Sequence, residues 1–244
     1  MARPVLNART MAFLLAFHVT ALLNISAWRI ATDVFNATPG DAWRLMAGLF
    51  LVHGALFLSL TFPGLFKPAA ALLVIGAAVA SHFMDGYGTV IDKDMIVNAV
   101  TTTRTEAKHL LTPDLAWHVL LYGFVPAGLL FLVRREETRF WRDVAINVPL
   151  ILAMLAMAGG LIFSDYAAFA SAFRERKDLV FSLNPIGPGY AIVKYAKQSL
   201  GKGEIKVQPI GLDARAGPYL SRAEKPVFLV LVVSLSLSFL LLLV

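Results

Sequence analysis

The chain of 244 residues contains no cysteine, which excludes a disulfide framework, a thiolate metal site and a lipid anchored through sulfur. Its five histidines, His18, His53, His82, His109 and His118, include no pair at i,i+4, and no His-Glu-x-x-His occurs. The sequence therefore carries no zinc signature. No Gly-x-Ser-x-Gly turn offers a nucleophilic serine. The glycines of NPIGPGY, residues 184–190, neither follow a strand pattern nor lead into Gly-Lys-Ser/Thr, so they do not read as a phosphate loop. Asp, Glu, Lys and Arg are missing from the middle of the apolar runs that read as spans, where a small transporter would keep its coupling groups.

What is abundant is apolar: 58% of the residues are hydrophobic and they come in long blocks. That composition predicts a polytopic membrane protein rather than a large soluble core. The net charge of +6 belongs to residues near block ends, where it sets orientation or meets anionic lipid rather than nucleic acid. Five spans are expected, at about 10–30, 44–62, 68–84, 115–133 and 144–163. The first is too long for a cleaved signal peptide and lacks a small-x-small site, so it reads as a signal anchor. Trp28 and Trp43 are placed like interfacial anchors. Gly76/Ala80, Ala77/Ser81 and Ala156/Gly160 have the spacing of close helix packing in lipid. His18 and His53 fall inside spans, as functional groups or as neutral side chains hydrogen-bonded between helices.

Arg134, Arg135, Arg139 and Arg142 crowd the loop before the fifth span, and Arg3, Arg9 and Lys67 fall on the same side of an alternating chain. The positive-inside bias then puts the N-terminus in the cytoplasm, with residues 85–114 and everything from 164 on the periplasmic side. Residues 165–182 place Tyr166, Phe169, Phe173, Leu179 and Val180 around basic side chains, as in a helix lying at the interface. A helix packed on a soluble domain gives the same pattern. Asn184-Pro185 and Gly187-Pro188-Gly189 should break the chain before a further helix at 190–200, and 201–226 reads as a linker. The last 18 residues, 227–244, would span roughly 27 Å as a helix, which suggests a sixth apolar helix. The expected units are thus a transmembrane domain at 1–164, interfacial helices and linker at 165–226, and an apolar segment at 227–244.

The longest polar interval lies between the third and fourth spans, from His82 to Leu111. Gly86-Tyr87-Gly88 should break the chain, and Asp92 can cap a short helix with Met95, Ile96, Ala99 and Val100 as its apolar positions. Thr103 and Glu106 have capping-box spacing. Thr112 before Pro113 is an N-cap ahead of a first-turn proline. Two small polar helices are expected here as a lid between spans.

The stretch MDGYGTVIDKDMIVNAVTTTRTEAKHLLTP closely resembles the signature of the lipid A phosphoethanolamine transferases, including the mobile colistin-resistance enzymes. The resemblance continues through FSDYAAFASAFRERKDLVFSLNP and KPVFLVLVV, from about residue 10 to Val233. It implies an all-α bundle in the bacterial inner membrane that docks phospholipid and lipid A. Carried over, Asn98 and Glu106 would hold the phosphoethanolamine-bearing lipid, an amide bonding phosphate oxygens and a carboxylate pairing with the ammonium. Glu106 has an equally complete explanation as a cap, and Asn98 as a solvated polar residue. Tyr87, Asp92 and Lys108 are further candidates in the same cleft. The family transfers phosphoethanolamine through a threonine nucleophile beside zinc, and its first zinc-binding Glu follows the strand that KPVFLVLVV resembles. Here SLSLSFLLLLV follows Val233, so no catalytic residue and no metal ligand is expected in this chain. The implied role is the anchoring and lipid-docking half of a transferase whose catalytic domain is missing. A non-enzymatic membrane scaffold or regulator is the alternative.

Overall fold

The computed structural model describes residues 4–61, 64–136 and 138–200. The expected linker at 201–226 and apolar segment at 227–244 lie outside the described residues. Twelve helices are seen among those described: α1 (Ala8–Leu22), α2 (Ile25–Val34), α3 (Pro39–Ser59), α4 (Phe66–Tyr87), α5 (Lys93–Thr101), α6 (Arg104–Leu110), α7 (Pro113–Val119), α8 (Val125–Leu132), α9 (Phe140–Phe163), α10 (Tyr166–Glu175), α11 (Lys177–Ser182) and α12 (Ile186–Leu200). A π-helical turn, Leu120–Phe124, joins α7 to α8. Four spans are long and apolar enough to cross a membrane: α3, α4, the α7–α8 unit and α9. The pair α1 and α2 makes a fifth if counted as one broken span.

The first span, expected at about 10–30, is not one continuous helix. It bends by 59° between α1 and α2. The cause is Asn24, a residue whose side chain competes for backbone partners. Its amide donates to Val19 O at 2.9 Å and to Asn184 O at 2.7 Å. Asn184 answers with its own N–H to Asn24 Oδ1 at 2.8 Å, and its side-chain amide reaches Leu23 O at 2.9 Å and Ala77 O at 2.8 Å. Backbone groups freed inside a membrane protein must find protein partners, and this pair supplies them. The corner before α12 is thereby pinned to α1 and α4.

Other boundaries moved for local reasons. The third span does not stop at 84: α4 runs through Gly86 and Tyr87 and ends at Gly88, whose φ of 64° only glycine adopts easily. The stretch 165–182 is two helices, α10 and α11, divided at Arg176. The last helix starts at Ile186, with Gly187-Pro188-Gly189 inside its first turn rather than before it. Pro is tolerated there because first-turn N–H groups lack intrahelical partners. Gly187 is required by space, since a Cβ would stand 2.3 Å from Phe181 O.

Packing centres on α3, which lies against α1 and α9, and on α4, which lies against the π-turn and α8. Met154 of α9 fills the hollow at Gly54. Ala158 lies against Gly48 in the same seam, whereas Ala156 and Gly160 face outward, contrary to the expected small-residue pair. Gly76 likewise faces open space, while Ala77 and Ser81 are buried. A second cluster gathers Ala31, Phe35 and Leu45 with Phe169, Ala172 and Leu179. The surface helices α10 and α11 therefore bury Phe169 and Leu179 on the bundle's own end and leave Tyr166 and Val180 exposed.

The end with the N-terminus is clamped. Val5–Leu6 pairs in parallel with Arg134–Arg135, the two short strands among the described residues, a feature the all-helical reading lacked. Buried Asp143 accepts from Arg9 at 3.1 Å, from Arg135 at 2.9 Å and from Thr138. Arg9 also reaches Asn147 at 2.8 Å, and Asn147 donates to Thr61 at 2.8 Å. Lys67 Nζ meets Val133 O at 2.5 Å. The N-terminus, the α3–α4 turn and the α8–α9 loop thus share one end of the bundle.

Candidate functional site

The lid forms where local capping chemistry requires it. Asp92 has extended backbone and accepts from Met95 N at 2.9 Å, opening α5. Thr103 and Glu106 make the full capping box of α6: Thr103 N–H donates to Glu106 Oε2 at 3.0 Å, Thr103 Oγ1 donates to it at 2.9 Å, and Glu106 N–H returns to Thr103 Oγ1 at 3.4 Å. These bonds favour the ionised carboxylate, so Glu106 is held below the usual carboxylate range. Thr112 accepts from Leu115 N at 3.2 Å and opens α7 with Pro113 behind it. The lid helix α5 has no fully buried residue and packs against α12.

The five candidate residues do not converge on one point. Asp92 spends its carboxylate on the cap. Glu106 is exposed and serves its own helix. Asn98 is exposed, and its backbone carbonyl takes the N–H and hydroxyl of Thr102, leaving the side-chain amide without a partner among the described residues. Lys108 is exposed in the last turn of α6. Tyr87 is half exposed, stacked on Phe83 at 5.8 Å and edge-on to His82 at 6.1 Å. No hydrogen bond or ion pair joins any two of the five among the described residues. Asn98 on α5 and Glu106 and Lys108 on α6 are each exposed.

Beneath Tyr87 the structure gathers a polar cluster that spacing alone did not reveal. His82 is buried, with Nδ1 3.7 Å from Asp114 Oδ2 and its ring 5.4 Å from that of His118. His118 Nε2 lies 2.8 Å from Ser81 Oγ. Asp85 Oδ1 accepts from Ser26 N at 2.9 Å and from Ser26 Oγ at 2.5 Å, fastening α2 to α4. His82 Nε2 and Asp85 Oδ2 are buried without a protein partner among the described residues. The usable signal was carboxylate–histidine spacing, His82 to Asp85 and Asp114 to His118, rather than the His–His spacing of a zinc helix. The π-turn below widens the helix where Tyr122 O accepts from His18 Nε2 at 2.8 Å, so His18 is a helix-to-helix hydrogen bond. His53 lies 2.8 Å from Thr20 Oγ1 in the same manner.

No three His, Cys, Asp or Glu side chains among the described residues are grouped to hold a metal ion. The donor set that a zinc ion takes is not met there.

The family model described as phosphoethanolamine transferase EptA/EptB matches residues 49–200. The phosphoethanolamine transferase EptA of Escherichia coli K12 is 29% identical over 95% of this chain. The phosphatidylethanolamine transferase Mcr-1 of Escherichia coli is 32% identical over 78% of it. This chain spans 43% of the length of the first relative and 37% of the second. A solved structure, the integral membrane protein lipooligosaccharide phosphoethanolamine transferase A (EptA) from Neisseria meningitidis, superimposes with a TM-score of 0.75 at 20% identity. It covers 81% of this chain and 37% of its own, and it establishes the fold.

Proposed function

The chain belongs to the EptA/EptB phosphoethanolamine transferase family, and from that premise we propose that it anchors such an enzyme in the membrane and docks its lipid substrates. The reaction would move phosphoethanolamine from phosphatidylethanolamine to lipid A. In this reading Asn98 donates to a phosphate oxygen of the headgroup, and Glu106 faces its ammonium with the second lone pairs of a carboxylate already held ionised. Lys108 adds a cation for phosphate, Tyr87 offers a ring face to the ammonium, and Asp92 fixes the helix that carries Asn98. Zinc and the nucleophile belong to the family's transfer step, for which the described residues supply no ligand set.

The observation that carries this reading is the lid itself, two capped helices with Asn98 exposed on α5 and Glu106 and Lys108 exposed on α6. The bundle would lie in the bacterial inner membrane with its Arg-rich clamp in the cytoplasm, the lid and residues 164–200 facing the periplasm. The test is competition. Purified chain in detergent, offered equal phosphatidylethanolamine and phosphatidylglycerol, should retain more of the former by native mass spectrometry. Equal retention would reject ammonium recognition by the lid.

A further inference from the structure

Below the lid, on the outer flank of the same two span helices, runs a cleft of about 550 Å³. Its walls are Val79 and Phe83 of α4, Ala107 and Leu110 of α6, and Ala116 and Val119 of α7. Thr112 is the polar residue of its lining, and that hydroxyl accepts from Leu115 N. Such a surface offers an occupant dispersion contacts and almost no hydrogen bonds, so the part that enters is a hydrocarbon chain rather than a headgroup.

Three features say which hydrocarbon. The α4 and α7–α8 walls belong to spans apolar enough to cross a membrane, so the cleft meets acyl chains wherever it leaves the protein. Its roof is α6, whose last turn carries Lys108 next to the lining residues Ala107 and Leu110, a cation at the rim for a phosphate. Phe83, which lines the cleft, is edge-on to His82 at 5.4 Å, so the cluster of Asp85, Asp114 and His82 stands one ring away on the same helices. An apolar slot, a cationic rim and nearby carboxylates match the chain, phosphate and amine of one zwitterionic glycerophospholipid.

We propose that this cleft holds one acyl chain of the phospholipid whose headgroup lies at the lid, a proposal that rests on the docking role given above. Chain and headgroup are then read by different residues. Ala116 forms part of the floor and Ala107 part of the roof, and both are small where a larger side chain would fill the slot.

The proposal is tested on the purified chain by native mass spectrometry, with phosphatidylethanolamine and phosphatidylglycerol as probes. Ala116→Phe fills the cleft from below and Ala107→Phe from above, so one serves if the other fails to fold. Leu152→Phe, on the exposed face of α9, is the control. Each groove variant should hold either lipid about fivefold more weakly, the size of losing roughly 1 kcal/mol of packing, while the control binds as the parent does. Unchanged retention in folded groove variants overturns the proposal, as does equal loss in the control. A shift from dimer to monomer in the groove variants also overturns it, since the occupant would then be a second copy. Loss of the ethanolamine-over-glycerol preference with the fivefold effect intact rejects the docking role and leaves the chain site standing.

Discussion

Thr103 and Glu106 close three hydrogen bonds at the start of α6, and the ionised carboxylate accepts two of them. Because those bonds depress its folded pKa, their stabilisation is present above the ordinary glutamate range and lost as pH falls through the depressed value. The Thr103 amide should accordingly lose protection against exchange on acidification below that range. Glu106→Gln keeps an acceptor for the cap but has no proton to gain, so its protection factor should stay flat with pH. A parallel fall in the variant would show that Glu106 is not the titrating group. Asp178 has the same sign: Arg176 donates to Asp33 and, through two nitrogens, to Asp178, and holds the Asp178 carboxyl below its usual range. The capping roles of Asp92, Thr103 and Thr112 were legible in the sequence because each involves partners within three residues. Asp85 was not legible, since its partner Ser26 stands 59 residues away.

Among elements, the bent first span and the π-turn decide where the site sits, and both depend on distant partners. The bend is stabilised by Asn184, 160 residues from Asn24, which no window of local pattern reaches. Asn184→Ala strips donors from the buried carbonyls of Leu23 and Ala77 and should cost about 1–3 kcal/mol of stability, read as a lowered unfolding midpoint in detergent. A substitution without effect would mean that the corner before α12 does not pin the bundle. The π-turn lets Gly123 sit close to α4, where a Cβ would meet Ala78 Cβ at 3.1 Å and Ile75 Cα at 3.3 Å. Gly123→Leu should therefore part α7 from α4 and destabilise the chain by about 1–3 kcal/mol. The same substitution at Gly128, which faces open space, should be tolerated. The order of the apolar spans was readable from apolar blocks alone, four as single units and a fifth only if the bent α1–α2 pair counts as one. Bends were not, because a helix in lipid breaks wherever another segment satisfies its backbone.

On the scale of the whole molecule, the ends of the bundle sort the polar chemistry. Arg9, Lys67, Arg135 and Asp143 gather at one end. The Asp33–Arg176 pair and the α5–α12 contact fall among the segments that alternate crossing puts at the other. That sorting agrees with the loop charge and predicts a cytoplasmic N-terminal end. With no native cysteine, Arg139→Cys and Lys197→Cys can be labelled singly in spheroplasts with a membrane-impermeant thiol reagent. Label at 197 and not at 139 is expected, and the reverse would turn the lid away from the periplasm. On the docking role proposed above, Asn98 and Glu106 hold the donor headgroup for transfer, and lipid A itself reports on it. Lipid A from cells producing this chain together with a catalytic half of its family should carry phosphoethanolamine by mass spectrometry. Asn98→Ala combined with Glu106→Gln should lower that modification about tenfold or more at equal protein level, the expected loss of one neutral and one charge-assisted contact. Undiminished modification in the double variant would contradict the account.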